Sequence, residues 1–269
     1  MIAPALRVVA CLLLPWIAAG ALAQPPAGVF IDDLTWTELR DRIRLGATTI
    51  LVPIGGTEQN GPHMALGKHN VRARLLAQRI AVALGNALVA PVVTYVPEGG
   101  IDPATAHMRF PGTITVTDAA FEQTLEQAAR SFRLHGFRDI VFIGDHGGYQ
   151  RNMKAAADRL NREWAKSPAR AHAVGEYYAA AGSQYAKQLA SQGYTAAEIG
   201  THAGLADTSL MLALDPGLVR TDKLAAAAAG GAAEGAVGDP RRATAALGQA
   251  GVDAIVADTT NAIRRATRR

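Results

Sequence analysis

Apolar and polar positions fall in blocks whose period changes along the chain. Thr48 to Ile54 reads Thr-Thr-Ile-Leu-Val-Pro-Ile, a continuous apolar run. Such a run predicts a strand buried on both faces. Ala87 to Tyr95 and Ile140 to Ile143 predict two more, and Ala171 to Tyr178 a fourth. Helical spacing fills the intervals. Thr35 can cap a first helix that carries Leu39, Ile43 and Leu45 on one side. Further helices are predicted at Val71–Leu84, Phe121–His135, Tyr149–Trp164, Ala179–Gln192, Ala206–Leu214 and Gly251–Arg269. The Ala/Gly-rich stretch Leu224–Gly238 predicts a mobile or loosely packed segment. Strands alternating with helices predict a three-layer α/β/α fold with a mainly parallel sheet, in a single domain over residues 25–269.

The first 24 residues break this pattern. Arg7 is followed by an apolar core, Val8 to Ala19, and by the small-x-small sequence Ala21-Leu22-Ala23. This reads as an export signal and predicts a periplasmic or secreted protein. The run is too short, and too interrupted by Pro15, to span a bilayer, so no membrane association is expected after cleavage. The one cysteine, Cys11, lies within it, so the mature chain has no disulfide and depends on its core. The formal charge of the whole chain is +4, and loss of Arg7 lowers it by one. The basic residues are scattered, which argues against a nucleic-acid partner. Arg264-Arg265 and Arg268-Arg269 read as a solvated helix tail.

In parallel sheets, ligands bind beyond the carboxyl ends of the strands. Two polar, Gly-rich clusters fall there: Glu58 to Asn70 and Asp145 to Gly148. Of seven histidines, His63, His69, His146 and His202 lie in Gly-rich loops or next to turns, in company with Glu58, Asp145 and Asp207. Imidazoles and carboxylates together are ligands for Zn, Mn or Fe. The sequence has no Gly-x-Ser-x-Gly elbow, phosphate loop or dinucleotide fingerprint. Ser209, close in sequence to His202 and Asp207, suggests a Ser-His-Asp alternative. It falls in an apolar helix, where a hydroxyl usually bonds back to the backbone.

Five segments in order resemble the creatininase family. They are Glu58-Gln59-Asn60-Gly61-Pro62-His63, His107-Met108-Arg109-Phe110-Pro111-Gly112-Thr113-Ile114, Gly144-Asp145-His146-Gly147-Gly148, His202-Ala203-Gly204-Leu205-Ala206-Asp207-Thr208-Ser209 and Gly238-Asp239-Pro240-Arg241. The resemblance implies a metal-dependent hydrolase that cleaves C–N bonds of small cyclic or linear, non-peptide amides and assembles as a homo-oligomer, often a hexamer. It carries over Glu58 and His146 as metal ligands, Asp207 as a further carboxylate ligand, and His202 as the acid/base. Two positions depart from the family pattern: Asn60 replaces a ligating His, and His69 replaces a bridging Asp. An imidazole offers one lone pair where a carboxylate spans two ions. The expectation is therefore one divalent ion per chain, Zn, Mn or Fe, held by Glu58, His69, His146 and Asp207. His202 or Asp207 would carry the proton. Asp145 would orient His146 or join the ligands. Asn60, His63, His107, Gly147 and Gly148 would shape the pocket. The rival expectation is an inactive or ligand-binding protein of the same fold with an altered metal site.

Overall fold

A computed structural model describes residues 28–268. The expected export signal, residues 1–24, lies outside the described residues. In chain order the elements are α1 (Trp36–Arg44), β1 (Thr49–Ile54), α2 (Lys68–Leu84), β2 (Ala87–Val89), α3 (Asp118–Leu134), β3 (Asp139–Gly144) and α4 (Gln150–Glu163). After these come β4 (Arg170–Ala173), α5 (Glu176–Ala179), a π-helical turn (Ala180–Gln184), α6 (Tyr185–Ser191) and α7 (Ala196–Ile199). The chain closes with α8 (Leu205–Leu214), α9 (Leu224–Gly230) and α10 (Ala245–Ala266). No helix among the described residues is long and apolar enough to cross a membrane.

Thr35 caps α1 as its position suggests, in a reciprocal capping box with Glu38. Three expectations need correction. β2 ends at Val89, because Pro91 has no N–H to donate to a ladder. The chain still runs beside β1, with the Val93 N–H donating to the Pro53 carbonyl at 3.0 Å. β4 ends at Ala173, and Glu176–Ala179 is helical. Leu224–Gly238 contains α9 and a 3₁₀ turn, Gly231–Glu234, instead of a loose loop. Alanine has the highest helix propensity, and Ala227 is fully buried, which gives the segment an anchor.

Among the described residues four strands form one parallel sheet in the order β2-β1-β3-β4. Side chains alternate across it. Leu51, Val89, Val141 and Ile143 face Leu76 and Ile80 of α2, Leu210 of α8, and Val252 and Ile255 of α10. Ile50, Val52, Ile54, Leu88, Ile140 and Phe142 face Phe121 and Leu125 of α3, Met153 and Leu160 of α4, and Trp164. The molecule is thus a three-layer α/β/α sandwich. Each fully buried aliphatic or Phe side chain contributes about 1.5–3 kcal/mol, so these two cores explain why no cross-link is needed. Ile54 and Gly144 are register partners at the carboxyl ends of β1 and β3. The loops carrying Glu58 and His146 therefore emerge side by side.

Candidate active site and metal centre

The buried face of α2 runs through Lys68, His69, Arg72, Leu76 and Ile80, as one stripe of a 3.6-residue helix should. Its later turns are apolar and meet the sheet. Its first turns pass beneath the loops after β1 and β3 and carry charge. The helix begins at Lys68, three residues before its expected start, so His69 sits in a helical turn and not in a loop.

Glu58 is fully buried. Its Oε1 accepts from His69 Nε2 at 2.7 Å, and its Oε2 lies 3.3 Å from His107 Nε2 and 3.6 Å from His146 Nε2. Burial would raise this carboxyl, but the imidazoles of His69, His146 and His202 hold it well below the ordinary carboxylate range. Glu98 comes in from the segment between β2 and α3, with its Oε2 3.7 Å from His146 Nδ1. Burial and the neighbouring charge of Glu58 push the Glu98 carboxyl up to about 10. Gly56, at φ 148°, makes room for it: a Cβ there would stand 2.6 Å from Glu98 Oε1.

One ligand atom from each of Glu58, Glu98, His107 and His146 lies within 4.8 Å of the others. Glu58 Oε2 and both oxygens of Glu98 are buried without a hydrogen-bond partner. Buried carboxylate oxygens without partners are costly. Two carboxylates and two imidazoles form a donor set suited to a divalent ion of the zinc or manganese type. The residues present therefore fit such an ion.

His69 and Asp207 stand outside this group. His69 is engaged at both nitrogens, Nε2 with Glu58 and Nδ1 with Asp145 Oδ2 at 2.5 Å. It links two carboxylates and turns no free lone pair toward the four-residue group. Asp207 pairs with Lys68 Nζ at 3.0 Å and Arg72 Nη1 at 2.7 Å, and accepts from the Ala203 N–H at 3.0 Å. Burial opposes its ionisation, but Lys68 and Arg72 outweigh that and hold it well below the carboxylate range. A carboxylate so fixed as an anion is a poor proton carrier near neutral pH. Asp145 is locked in turn by Arg72, His69 and Tyr177.

His202 lies beside the group, with Nδ1 3.8 Å from Glu58 Oε1 and its ring centroid 4.7 Å from that of His107. Its Nε2 is 2.9 Å from the Gln59 carbonyl. The Gln59 side-chain nitrogen is 3.2 Å from the same Nε2; the carbonyl is the shorter contact and can only accept, so it assigns the proton to Nε2 and the lone pair to Nδ1. Burial and the charge of Lys68 lower its pKa to about 4, and burial lowers His146 likewise to about 4. Both are neutral bases at pH 7. Two non-glycine residues with positive φ flank these histidines, Ala106 at 48° beside His107 and Ala203 at 55° beside His202. Each costs about 1–2 kcal/mol, and such strain concentrates at functional sites.

The remaining candidates shape the surroundings. Asn60 turns its amide back onto the Glu58 carbonyl at 2.8 Å. His63, fully buried, hydrogen-bonds Thr208 at 2.9 Å, away from the four-residue group. Gly148 allows close approach of His146, whose Cε1 would stand 3.0 Å from a Cβ there, and a Cβ on Gly147 would meet the Tyr178 hydroxyl. Ser209 is fully buried and its Oγ accepts from the Thr244 N–H at 3.3 Å, so it is no nucleophile of this site. Sequence reasoning missed Glu98, Lys68 and Arg72 altogether. A cavity of about 420 Å³ opens over His107, His146 and His202 and is bounded by Arg72, Asp207 and Tyr178.

A parallel α/β sandwich with a buried carboxylate–imidazole centre at its strand ends defines the class. The chain matches the model of the creatininase family (creatinine amidohydrolase) over residues 32–263. It belongs to that family. It is 28% identical over 204 residues to the creatinine amidohydrolase of Pseudomonas putida, covering 73% of this chain and 75% of that protein. It is 30% identical over 221 residues to the mycofactocin precursor peptide peptidase of Mycolicibacterium smegmatis, covering 74% and 78%. A mutant creatininase structure of Zn-Zn type superposes with a TM-score of 0.74 at 26% identity, covering 90% of this chain and 99% of that one. Both relatives are hydrolases.

Proposed function

We propose that this protein is a metal-dependent amidohydrolase that cleaves a C–N bond of a small cyclic or linear amide. The observation carrying this reading is the four-residue group with its three unpartnered carboxylate oxygens, set beside His202 and open to a cavity. One ion per chain, zinc or manganese, is the stoichiometry the pairing supports. Asp207 and Asp145 are already engaged by Lys68, Arg72 and His69, which leaves one group, centred on Glu58 and Glu98, to hold an ion. When bound, the ion supplies Lewis acidity that polarises an amide carbonyl and acidifies water.

The chain's own residues do the rest. Glu58, Glu98, His107 and His146 hold the ion. His202 takes a proton at Nδ1 and delivers it to the departing nitrogen, since its neutral form accepts, the Glu58 carboxylate 3.8 Å away favours the protonated form, and its Nε2 is anchored on Gln59. His69, Asp145 and Arg72 fix Glu58 from below. The reading of residues 1–24 as a signal makes the working location the periplasm or the exterior, and the family resemblance makes the working form a homo-oligomer.

The test is elemental analysis of purified protein, followed by an amide and lactam screen before and after chelation. One tightly bound ion with chelator-sensitive hydrolysis is expected. Two tightly bound ions would sink the single-ion stoichiometry. No ion and no hydrolysis in the presence of Zn²⁺ or Mn²⁺ would instead favour a binding protein, which the departures at Asn60 and His69 keep in view.

A further inference from the structure

A second cavity, of about 450 Å³, adjoins the metal-holding residues. It is bounded by Glu98, Gly99, Thr117, Asp118 and Arg151. His107 and His146 belong to the walls of both cavities. Two of the four ion-holding side chains thus form a wall common to the two cavities. Each cavity alone falls within the roughly 300–1,000 Å³ of an ordinary small-ligand site.

The two cavities are lined by different residues. The first, beyond its charged rim at Arg72 and Asp207, is lined by Ala181, Gly182, Ala186 and Ile199, with Ser183, Thr201 and Tyr178 among them. Ala181, Gly182 and Ser183 belong to the π-helical turn, a feature frequent at functional sites. The second carries the Asp118–Arg151 ion pair, closed at 3.2 Å, and the Thr117 side chain. His202 lines only the first.

We propose that the substrate is a linear amide whose two arms lie in the two cavities, with the scissile bond at the His107–His146 wall. This rests on the amidohydrolase reading. A trans amide is planar and directs its acyl and amine substituents to opposite ends. A small lactam ties both into one ring, fills one cavity and leaves the other without a role. The departing nitrogen must lie near His202, which lines the first cavity alone and so assigns the amine arm to it. The acyl arm then lies against Asp118 and Arg151. In the reaction the C–N bond breaks and a C–O bond to the water oxygen forms. One proton of that water passes through His202 to the nitrogen, giving a carboxylic acid and an amine.

The test uses metal-loaded full-length protein with three probes: glutaminyl-glycyl-alanine blocked at its N-terminus, N-acetyl-alanine, and creatinine as the lactam. The longer linear amide is expected to exceed creatinine in kcat/KM by at least 10-fold. The variants Asp118→Ala and Arg151→Ala, both at exposed positions, are expected to raise KM more than they lower kcat, and to reduce the preference for the long over the short acyl arm by about 10-fold, the order of one lost side-chain interaction. Faster turnover of creatinine, or an unchanged long-to-short preference in both variants, overturns the proposal and leaves the amidohydrolase reading standing. Binding of an ion without hydrolysis of any of the three probes overturns both.

Discussion

Arg72 meets Asp145 through Nε, 3.0 Å from one carboxylate oxygen and 2.8 Å from the other, with both residues at most 3% exposed. The same guanidinium reaches Asp207 at 2.7 Å, so one side chain pairs with two carboxylates under the site, with Lys68 supplying the second positive charge. Burial and this pairing act in opposite directions on Asp145, and the pairing holds its carboxyl below the usual range. Replacing Arg72 by Met leaves a buried charge uncompensated, which costs about 3–5 kcal/mol. Urea unfolding at neutral pH should show that loss. Arg72→Lys should recover only part of it, since an ammonium cannot reproduce the planar fork.

Glu98 separates ion binding from folding. Its carboxyl is buried, pressed against Glu58, and has no hydrogen-bond donor on either oxygen. Glu98→Gln removes a ligand and replaces a carboxyl that is uncharged at neutral pH in the metal-free protein by an uncharged amide of the same size. Metal titration by calorimetry should show affinity lowered by more than the ~10–100-fold that follows loss of an outer hydrogen-bond partner. Thermal melts in chelator should show the variant no less stable than the parent. A variant that binds the ion as tightly as the parent would remove Glu98 from the proposed set.

Much of this site was legible in the chain, and the illegible part has a physical reason. Thr49–Ile54 and Asp139–Gly144 are buried on both faces, so their apolar runs are unbroken and they were visible as strands. Glu58, His146 and His202 sit in turns with recognisable neighbours. Glu98 sits in Pro97-Glu98-Gly99-Gly100, whose place depends on tertiary packing, with the Glu98 N–H held by Thr115 Oγ1 at 2.9 Å. The available clue was a lone acid in a Gly-rich turn following an apolar run, the same position that marked the other two clusters. Lys68 and Arg72 were hidden because α2 has Gly67 at its N-cap and no capping side chain. Its charged first turn reads as loop until the sites it neutralises are known.

His63 gives a pH prediction. It is fully buried, and burial with the nearby charge of Lys68 lowers its pKa to about 4. The folded state therefore releases a proton that the unfolded state, near 6.5, still binds. Between those values the unfolded chain holds more protons, so stability rises with pH. The contribution is complete above about 6.5 and is lost as pH falls toward 4. Metal-free protein, unfolded by urea across pH 4 to 7, should show this slope. His63→Gln should flatten it without abolishing it, because His146 and His202 are lowered in the same direction.

Tyr149 is the last test, and it concerns how His146 is aimed. Its hydroxyl oxygen accepts from the backbone N–H groups of Asp145 and His146, each at 3.0 Å. The hydroxyl donates in turn to the Gly55 carbonyl at 2.6 Å. One buried atom thus ties the loop after β3 to the end of β1, between Glu58's strand and His146. Tyr149→Phe keeps the ring, which packs on Phe121 at a centroid distance of 5.3 Å, and removes only that junction. The His146 N–H loses its acceptor, while the Asp145 N–H keeps the Ile54 carbonyl at 3.0 Å, so the loss is about 1–3 kcal/mol of stability. The imidazole of His146 loses its fixed position, so metal affinity should fall by roughly 10–100-fold. Denaturation in chelator and metal titration measure the two effects separately. Unchanged metal affinity in a variant that is clearly destabilised would show that the junction supports the fold and does not aim the ligand.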